Sequence, residues 1–332
     1  MQKIVRLGFV GCGKHATRGH AYNALALPDI FSITAAYDTN REALSKFCSI
    51  SSTIRAMGSA DEVIKSFDVD AVVIATPHEF HLDLMHKAVK AKKHTLCEKP
   101  LWVGDHTKEV SGILDSAQQK GLVFTSCHLR RFAAEFMRLH DLIPELKFLD
   151  ALLEFNFRFF YHEPSTVWKK AEAESLLLDH LNHEVDILHY LLGYAPLKLE
   201  KRADSFDHYE VVGERADGIH IFFLGTRRLK SRIFRNELEL VFEKGRVVTL
   251  ATLENGIVHS TIITTNFDQR EESVIQLPHY SYEDVLVEVM RNFGETILGR
   301  ATNYLGTEDL ITNNESCNEL LSRGVYSYTP TR

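Results

Sequence analysis

The feature that most constrains the fold is a short apolar run that ends in a glycine-rich turn near the N-terminus. Residues 3–10, KIVRLGFV, have the composition of a buried parallel strand. The turn that follows contains, in order, Gly11, Cys12, Gly13, Lys14, His15 and Ala16, a G-x-G-x-x-A pattern. The first glycine permits a tight turn, the second lets a pyrophosphate approach the backbone, and the alanine allows close helix–strand packing. Because a helix N-terminus favours phosphate, the pattern predicts a dinucleotide-binding strand–turn–helix unit.

Alternating strand-like and helix-like segments continue to about residue 129. The predicted strands are residues 31–38, 70–77, 93–100 and 122–129, and the predicted helices are residues 79–91 and 106–120. This alternation predicts an α/β domain of the Rossmann type, with a doubly wound parallel sheet, over residues 1–126. Ligands bind at the carboxyl ends of the strands in such sheets, so residues 76–78 and 97–100 are candidate site residues.

A single carboxylate, Asp38, ends the second predicted strand. A carboxylate at this place accepts hydrogen bonds from the adenosine ribose hydroxyls and repels a 2′-phosphate. The spacing from Gly11 is longer than the usual roughly 20 residues, which a longer first helix and loop can absorb. The alternative is a plain turn residue before Thr39 and Asn40. We therefore expect NAD as the cofactor in preference to NADP, with Arg41 as a complicating neighbour.

Composition and charge argue against several classes of protein. The chain has 332 residues, which favours two domains, and a formal net charge of -7 without a basic tail, which argues against nucleic acid as the main partner. It contains no run of about 18 apolar residues and no signal-like N-terminus, so we expect no membrane span and a cytoplasmic location. The 5 cysteines include no C-x-x-C pair and therefore predict reduced thiols rather than disulfides or a metal site.

A run of acidic and histidine residues interrupts the apolar sequence LLLDHLNHEVDILHYLLG, residues 176–193. If this run is a helix, Asp179, His183 and Asp186 share one face and project away from the core. The opposite, apolar face contains Leu177, Leu181, Val185, Leu188 and Leu192. Gly193 is in the position of a C-cap. The alternative is an ordinary solvated helix face, but a dinucleotide pattern elsewhere in the chain calls for a partner surface with an acid or a base.

Residues 75–100, ATPHEFHLDLMHKAVKAKKHTLCEKP, resemble the signature of the Gfo/Idh/MocA family of NAD(P)-dependent oxidoreductases, which includes glucose–fructose oxidoreductase and inositol 2-dehydrogenase. The matching residues are Thr76, Pro77, His81, Lys93, His94, Glu98, Lys99 and Pro100. The second signature of the family, Asp-x-x-x-His-x-x-Asp, is matched by Asp179, His183 and Asp186. Residues 130–136 and 305–310 resemble further segments, so the resemblance covers most of the chain.

The resemblance implies a catalytic pair, Lys99 and His183, with Asp179 beside them. It further implies cofactor contacts from Gly11, Cys12, Gly13, Lys14, His15, Ala16, Asp38, Thr76, Pro77, His81, Glu98 and Lys99, and substrate contacts from His128, Trp168, Asp179 and His180. A neutral imidazole is a suitable base for an alcohol proton, and a lysine ammonium stabilises negative charge on the same oxygen, so no metal is expected. We expect both side chains of the catalytic pair to face one cleft between two domains.

The implied reaction is hydride transfer between a nicotinamide cofactor and a secondary alcohol of a sugar, a polyol or a sugar derivative. Two alternatives stay open: a non-catalytic binding or regulatory protein on the same fold, and a reductase of a non-sugar substrate. Loss of the lysine or the histidine would favour the first alternative, and both residues are present. Departures from the family pattern, which border the substrate pocket, occur at His78, Glu172, Glu174, Ser175 and His180. No particular sugar is therefore carried over from the family.

The remaining residues, 127–332, predict an α+β domain with a large, mostly antiparallel open sheet. Alternating apolar and polar residues indicate strands between about 197 and 277, with turns at residues 243–245 and 254–256. Two helices are predicted over residues 281–298 and 307–322.

One face of this sheet is expected to be too apolar to leave in water. Val247, Leu250 and Ile262 are among the residues that two C-terminal helices cannot cover, which predicts a homodimer or homotetramer through the sheet. A local basic run contains Arg227, Arg228, Lys230, Arg232 and Arg235. Because a strand alternates its faces, a solvated strand face is favoured over a phosphate contact for this run.

Overall fold

The computed structural model describes residues 3–161, 175–228 and 234–322 of the chain. Two compact units are present: the first comprises the chain up to Leu129 together with Glu283–Glu315, and the second comprises Arg130–Tyr282 with the chain from Ser316 onward. The predicted second domain, residues 127–332, has to be corrected, because Glu283–Glu315 belongs to the first unit.

Side chains of this returning segment complete the core of the first unit. Leu305 and Leu310 are buried in one apolar cluster of that unit. The side chain of Asn314 accepts a hydrogen bond from the backbone amide of Leu101 at 3.0 Å and donates one to the carbonyl of Trp102 at 2.8 Å. These contacts join residues more than 200 positions apart, so no local pattern in the sequence could indicate them.

The described α-helices, in chain order, are α1 (Tyr22–Leu25), α2 (Arg41–Cys48), α3 (Ala60–Lys65), α4 (His81–Lys90), α5 (Thr107–Gln119), α6 (Ala134–Leu142), α7 (Leu176–Leu192), α8 (Tyr282–Ile297) and α9 (Thr307–Ser322). A π-helical turn, Ala16–Ala21, leads directly into α1. Within the three described ranges, no helix is both long enough and apolar enough to cross a membrane.

A parallel sheet forms the centre of the first unit. Its strands are β1 (Val5–Val10), β2 (Phe31–Tyr37), β3 (Arg55–Ala56), β4 (Ala71–Ile74), β5 (His94–Cys97) and β6 (Phe124–Ser126). Their order across the sheet, β3-β2-β1-β4-β5-β6, is that of a doubly wound dinucleotide-binding domain. The predicted fold class of this domain is therefore confirmed. The predicted continuous apolar runs reflect burial on both faces, since all of β4 is buried.

A bidentate contact between Arg6 and Asp70 fixes the amino ends of the two central strands, β1 and β4. The backbone amide and Nε of Arg6 each donate to Oδ2 of Asp70 at 2.9 Å, and Nη2 donates to Oδ1 at 2.7 Å. Parallel bonds from one guanidinium to one carboxylate fix geometry as well as adding energy. The contact supports the register in which Leu7 lies beside Ala71.

The second unit contains a larger sheet. Its strands are β7 (Leu152–Tyr161), β8 (Leu197–Ser205), β9 (His208–Arg215), β10 (His220–Thr226), β11 (Phe234–Phe242), β12 (Gly245–Glu254), β13 (Ile257–Asn266) and β14 (Glu271–Gln276). They follow the order β14-β13-β12-β11-β7-β10-β9-β8, in which β7 and β10 are parallel and the other neighbours antiparallel. The predicted mostly antiparallel sheet is confirmed. Helix α6 packs against β12 and β13, and α7 packs against β8, β9 and β10.

Val247, Leu250 and Ile262 were predicted to belong to one apolar face that the helices cannot cover. In the structure they lie on both faces of this sheet. Val247 and Ile262 are completely buried on the face that the helices cover, so their assignment to the uncovered face was wrong. Leu250 is partly exposed on the other face, where it pairs with Glu237 across β11 and β12. Glu237 also accepts a hydrogen bond from Arg158 at 3.0 Å. The uncovered face is therefore a mixture of apolar residues and ion pairs.

Candidate functional site

The phosphate loop, residues 11–16, has the backbone geometry that the glycine pattern predicts. Gly11 has a φ of +93°, and a Cβ built there would lie 2.3 Å from the carbonyl oxygen of Ala75, so only glycine fits. A Cβ at Gly13 would meet no atom of the described residues within 4 Å. Ala16 is buried, with 1% of its surface exposed. The loop thus combines a tight turn, open space above its backbone and close helix packing.

A cavity of about 420 Å³ opens along this loop and the start of α2. Its lining includes Cys12, Gly13, Lys14, Thr17, Arg18 and Asn40. Lys14 and Arg18 supply positive charge, and the loop supplies backbone amides, which is the chemistry that binds the phosphates of a dinucleotide.

Asp38, at the end of β2, is held by two backbone amides. Its Oδ2 accepts a hydrogen bond from the amide of Cys12 at 2.7 Å, and its Oδ1 accepts one from the amide of Asn40 at 2.7 Å. Each carboxylate oxygen retains a lone pair for a further donor such as a ribose hydroxyl. The loop, the cavity and this fixed carboxylate together fit a nicotinamide dinucleotide.

His81, a predicted cofactor contact, has both ring nitrogens engaged by the protein. Nδ1 lies 2.8 Å from the carbonyl oxygen of Pro100, and Nε2 lies 2.9 Å from that of Thr76. The side chain is 1% exposed, and this burial lowers the pKa of His81. The ring therefore holds together the loops that follow β4 and β5.

Glu98 links the end of β5 to the phosphate loop. Its Oε1 contacts Nε2 of His15 at 2.9 Å and Nε2 of His20 at 2.5 Å. Burial opposes ionisation of Glu98, but the charges of the two histidines and their hydrogen bonds hold the pKa of this carboxyl well below its usual value. Burial, followed by the charge of Glu98, raises the pKa of the Cys127 thiol. Lys99 follows Glu98 directly and is partly exposed.

In the second unit, the predicted helix over residues 176–193 is confirmed as α7. The hydroxyl of Ser175 accepts a hydrogen bond from the amide of Leu178 as the N-cap, and Gly193 has the positive φ of a C-cap, +73°. His183 is 7% exposed, whereas 31% of the Asp179 side chain is exposed. His183 therefore places a buried imidazole one turn from the accessible carboxylate of Asp179.

The prediction that Asp186 projects away from the core, like Asp179 on the same face of α7, is wrong. Asp186 is completely buried and forms an ion pair with Arg131, with 2.8 Å between Oδ1 and Nη2. The neighbouring Glu184 is equally buried, and its Oε1 accepts a hydrogen bond from Nη1 of Arg130 at 2.9 Å. The helix is thus surrounded on nearly all sides, and these buried pairs fix its rotation about its axis. These roles of Arg130 and Arg131 were not predicted, although two adjacent arginines in an otherwise apolar stretch were the available signal.

The predicted substrate residues fall into different surroundings. The ring of His180 packs in a tilted arrangement against Phe159 with 4.3 Å between the centroids, and its Nε2 lies 3.6 Å from Oδ2 of Asp179. His128 belongs to the first unit and is 3% exposed. Trp168, like Glu172 and Glu174, lies outside the described residues.

The basic run after β10 is only partly described. Arg227 is 8% exposed, and its guanidinium lies 4.6 Å from the ring centroid of Phe206, so the expected solvated face is wrong for this residue. Arg228 is exposed, and its Nε donates to Oδ1 of Asp207 at 3.1 Å. Lys230 and Arg232 lie outside the described residues.

The chain matches the family described as the oxidoreductase family with an NAD-binding Rossmann fold over residues 5–128. An uncharacterized oxidoreductase from Streptococcus pneumoniae is 27% identical over 224 residues, which are 66% of this chain and 59% of that protein. The 1,5-anhydro-D-fructose reductase from Ensifer adhaerens is 27% identical over 183 residues, which are 54% of this chain and 53% of that protein. The matches therefore span less than two thirds of the length of either relative.

Among solved structures, levoglucosan dehydrogenase in complex with NADH and levoglucosan has a TM-score of 0.77. The comparison covers 97% of this chain and 98% of that chain at 16% sequence identity, which shows a shared fold. Residues 5–128 therefore match the NAD-binding Rossmann domain of the Gfo/Idh/MocA oxidoreductases, and the chain shares its overall fold with levoglucosan dehydrogenase.

Proposed function

We propose that this chain is an NAD-dependent oxidoreductase that transfers hydride between nicotinamide and a secondary alcohol of a sugar, a polyol or a sugar derivative. One observation carries the proposal: the hydrogen bond between His15 and Glu98 ties the phosphate loop to the residue that precedes Lys99. A lysine that adjoins such a loop is suited to hydrogen-bond the oxygen of an alcohol substrate.

The class of substrate is inferred from two similar proteins. One is named as a reductase of 1,5-anhydro-D-fructose, and the other is a levoglucosan dehydrogenase with levoglucosan bound. Both compounds are sugar derivatives with several hydroxyl groups. For this chain we therefore infer a polyhydroxylated substrate, without assigning a particular sugar.

The residues of the chain account for the movement of the proton. When bound, the nicotinamide accepts or supplies the hydride. During oxidation the alcohol also has to lose its hydroxyl proton, and we assign that proton to the neutral imidazole of His183, which returns it during reduction. The ammonium of Lys99 donates a hydrogen bond to the same oxygen and stabilises the negative charge that develops there. Asp179 orients the imidazole or binds a neighbouring hydroxyl, and none of these steps requires a metal ion.

The preference for NAD over NADP is inferred from Asp38. Its carboxylate is fixed by the amides of Cys12 and Asn40 and cannot turn away without loss of both hydrogen bonds. A fixed negative charge at the end of β2 accepts ribose hydroxyls and repels a 2′-phosphate. Arg18 and Lys14 in the adjoining cavity are then left to contact the pyrophosphate.

A cofactor-reduction screen across polyols, aldoses and sugar nucleotides tests the proposed function. We expect NAD⁺-dependent oxidation of at least one compound, and a loss of about 10²-fold or more in turnover for His183→Ala. His86→Ala, which removes an exposed histidine on α4, is the matched control and should keep full turnover. Tight NAD binding without turnover of any compound in either direction would instead favour the non-catalytic alternative. If turnover is confined to non-sugar carbonyl compounds with NADH, the chain is better described by the second alternative, a reductase of a non-sugar substrate.

A further inference from the structure

Four side chains with metal-binding chemistry converge beside the phosphate loop. They are His15, His20, Glu98 and Cys127, whose donor atoms all lie within 4.8 Å of one another. Nε2 of each histidine contacts the same carboxylate oxygen, Oε1 of Glu98. Three of the four residues are buried, whereas 55% of the His15 side chain is exposed. The cluster thus has a buried floor and one ligand that can reach solvent.

The two histidines point the same way because the helix after the loop is not α-helical there. His15 and His20 are five residues apart, a spacing that in an α-helix would separate their directions by about 140°. Ala16–Ala21 instead form a π-helix, whose i→i+5 hydrogen bonds bring residues five apart onto one face. Such turns are rare and are frequent at functional sites. The backbone therefore has an uncommon conformation that directs both imidazoles at one carboxylate.

We propose that His15, His20, Glu98 and Cys127 form a binding site for a divalent transition-metal ion, with Zn²⁺ as the best match. Two imidazole nitrogens, a carboxylate oxygen and a sulfur are donors that zinc accepts in four-coordinate sites. Calcium and magnesium prefer oxygen donors alone, so these cations are disfavoured. One carboxylate and one thiolate balance the two positive charges of the ion, which suits a buried site.

The present geometry needs only small adjustments to hold such an ion. With zinc–ligand distances of about 2.0–2.3 Å, neighbouring donors of a tetrahedral site lie about 3.5 Å apart. The contacts of Glu98 with the histidines, at 2.5 and 2.9 Å, would lengthen, and the widest separation in the cluster, which is at most 4.8 Å, would shorten. Relative to about 3.5 Å, the contact of His15 changes by about 0.6 Å, that of His20 by about 1.0 Å and the widest pair by about 1.3 Å at most. Rotation of the exposed His15 imidazole, the Cys127 thiol and the Glu98 carboxylate can supply these changes. The ion would replace protons on the thiol and the imidazoles, so binding would release protons.

The role of the site follows from the segments that it would join. His15 and His20 belong to the phosphate loop and the π-helical turn, Glu98 follows β5, and Cys127 follows β6. A bound ion would fasten the loop to the ends of two neighbouring strands, and its binding energy would add to the stability of the folded unit. His15 and Glu98 are also predicted cofactor contacts, and a bound ion would replace their direct hydrogen bond as the link between the phosphate loop and the end of β5. The site contains neither Lys99 nor His183, and its test measures metal binding without cofactor, so its failure and that of the proposed function are distinguishable.

Titration of the full chain with Co²⁺, after treatment with a chelator and without cofactor, tests this site. We expect one Co²⁺ per chain and a sulfur-to-cobalt charge-transfer absorption, because Co²⁺ occupies zinc sites and Cys127 would supply thiolate. Added Zn²⁺ should displace the cobalt, and Zn²⁺ alone should raise the melting temperature of the chain.

Two variants and two controls make the result specific. Cys127→Ser should abolish the charge-transfer absorption, and His15→Ala should weaken Zn²⁺ binding by more than about 100-fold, since loss of an outer-shell partner alone costs about 10–100-fold. Cys48→Ser and His86→Ala change a cysteine and an exposed histidine elsewhere in the first unit and should leave both measurements unchanged. If neither metal binds in a 1:1 ratio, or the absorption persists in Cys127→Ser, the four side chains form a hydrogen-bonded cluster only and the proposal is overturned.

Discussion

At the scale of single residues, Asp38 is expected to decide between the two forms of the cofactor. Asp38→Asn keeps an acceptor oxygen for one of the two backbone amides that Asp38 binds, leaves the other without its acceptor, and removes the charge that repels a 2′-phosphate. We expect NAD binding to weaken by about 10- to 100-fold, because a hydrogen bond to a charged group contributes about 1.5–3 kcal/mol, and we expect NADP binding to improve. Isothermal titration with both cofactors measures this, with Asp29→Asn, an exposed turn residue, as the control. Tighter binding of NADP than of NAD to the unmodified chain would contradict the assignment.

Local patterns in the sequence located some residues of the site and not others. Asp38 follows a strand that was predicted, and His183 lies on a helix that was predicted. The contact of His15 and His20 with Glu98 was not predicted, because α-helical spacing separates residues five apart and the hydrophobic pattern of the sequence does not indicate a π-helix. Residues that come into contact only because their strands are neighbours in the folded sheet have no characteristic spacing in the sequence.

At the scale of elements, the buried ion pair between Asp186 and Arg131 is expected to hold α7 in place. Asp186→Asn leaves a buried guanidinium without a full counter-charge, and removal of one partner of such a pair costs about 3–5 kcal/mol. We therefore expect a large fall in the free energy of unfolding, measured with denaturant. Asp83→Asn, which breaks an exposed pair with Lys87, is the control and should have a much smaller effect. Equal effects of the two substitutions would show that the buried pair does not fix the helix.

The contact between Arg6 and Asp70 predicts a dependence of stability on pH. Burial opposes ionisation of Asp70, but the hydrogen bonds and charge of Arg6 lower the pKa of this carboxyl from its ordinary value. A carboxyl with a lowered pKa stabilises the folded state above its ordinary pKa, and this contribution is lost as the pH falls through the lowered value. Because 40% of the Arg6 side chain is exposed, solvent screening limits the contribution to about 1 kcal/mol or less.

Comparison of Asp70→Asn with the unmodified chain across pH tests this linkage. The difference between their free energies of unfolding should be largest near neutral pH and should shrink on acidification. A difference that stays constant down to acidic pH would mean that the ionisation of Asp70 does not contribute.

At the scale of the whole molecule, the uncovered face of the second sheet is the proposed contact between copies of the chain. This face combines partly exposed apolar residues such as Leu250 with the ion pair of Arg158 and Glu237. We expect a homodimer or homotetramer at micromolar concentration by light scattering, and Leu250→Asp should shift it towards the monomer. Phe67→Asp, which changes a residue 87% exposed in the first unit, should not. A monomeric unmodified chain would contradict the proposal.

The fold class could be predicted for the whole chain, whereas the division between its units could not. Alternating and continuous apolar runs report directly on the burial of each strand, and both sheets followed from them. The return of Glu283–Glu315 to the first unit depends on contacts such as that of Asn314 with Leu101, which no local pattern reports. The same limit applies to the sheet faces, since one residue of register decides which side Val247 and Ile262 occupy.

The most direct test of the central claim is a kinetic comparison of Lys99→Ala, His183→Ala and the double variant on the substrate that the screen identifies. All three variants should bind NAD with an affinity close to that of the unmodified chain. Turnover should fall by about 10²–10⁴-fold for the histidine and about 10²–10³-fold for the lysine. The two losses should not multiply in the double variant, because both groups act on one oxygen. The rate of oxidation should rise with pH in the unmodified chain and then level off, whereas near-normal turnover of His183→Ala would contradict the assigned chemistry.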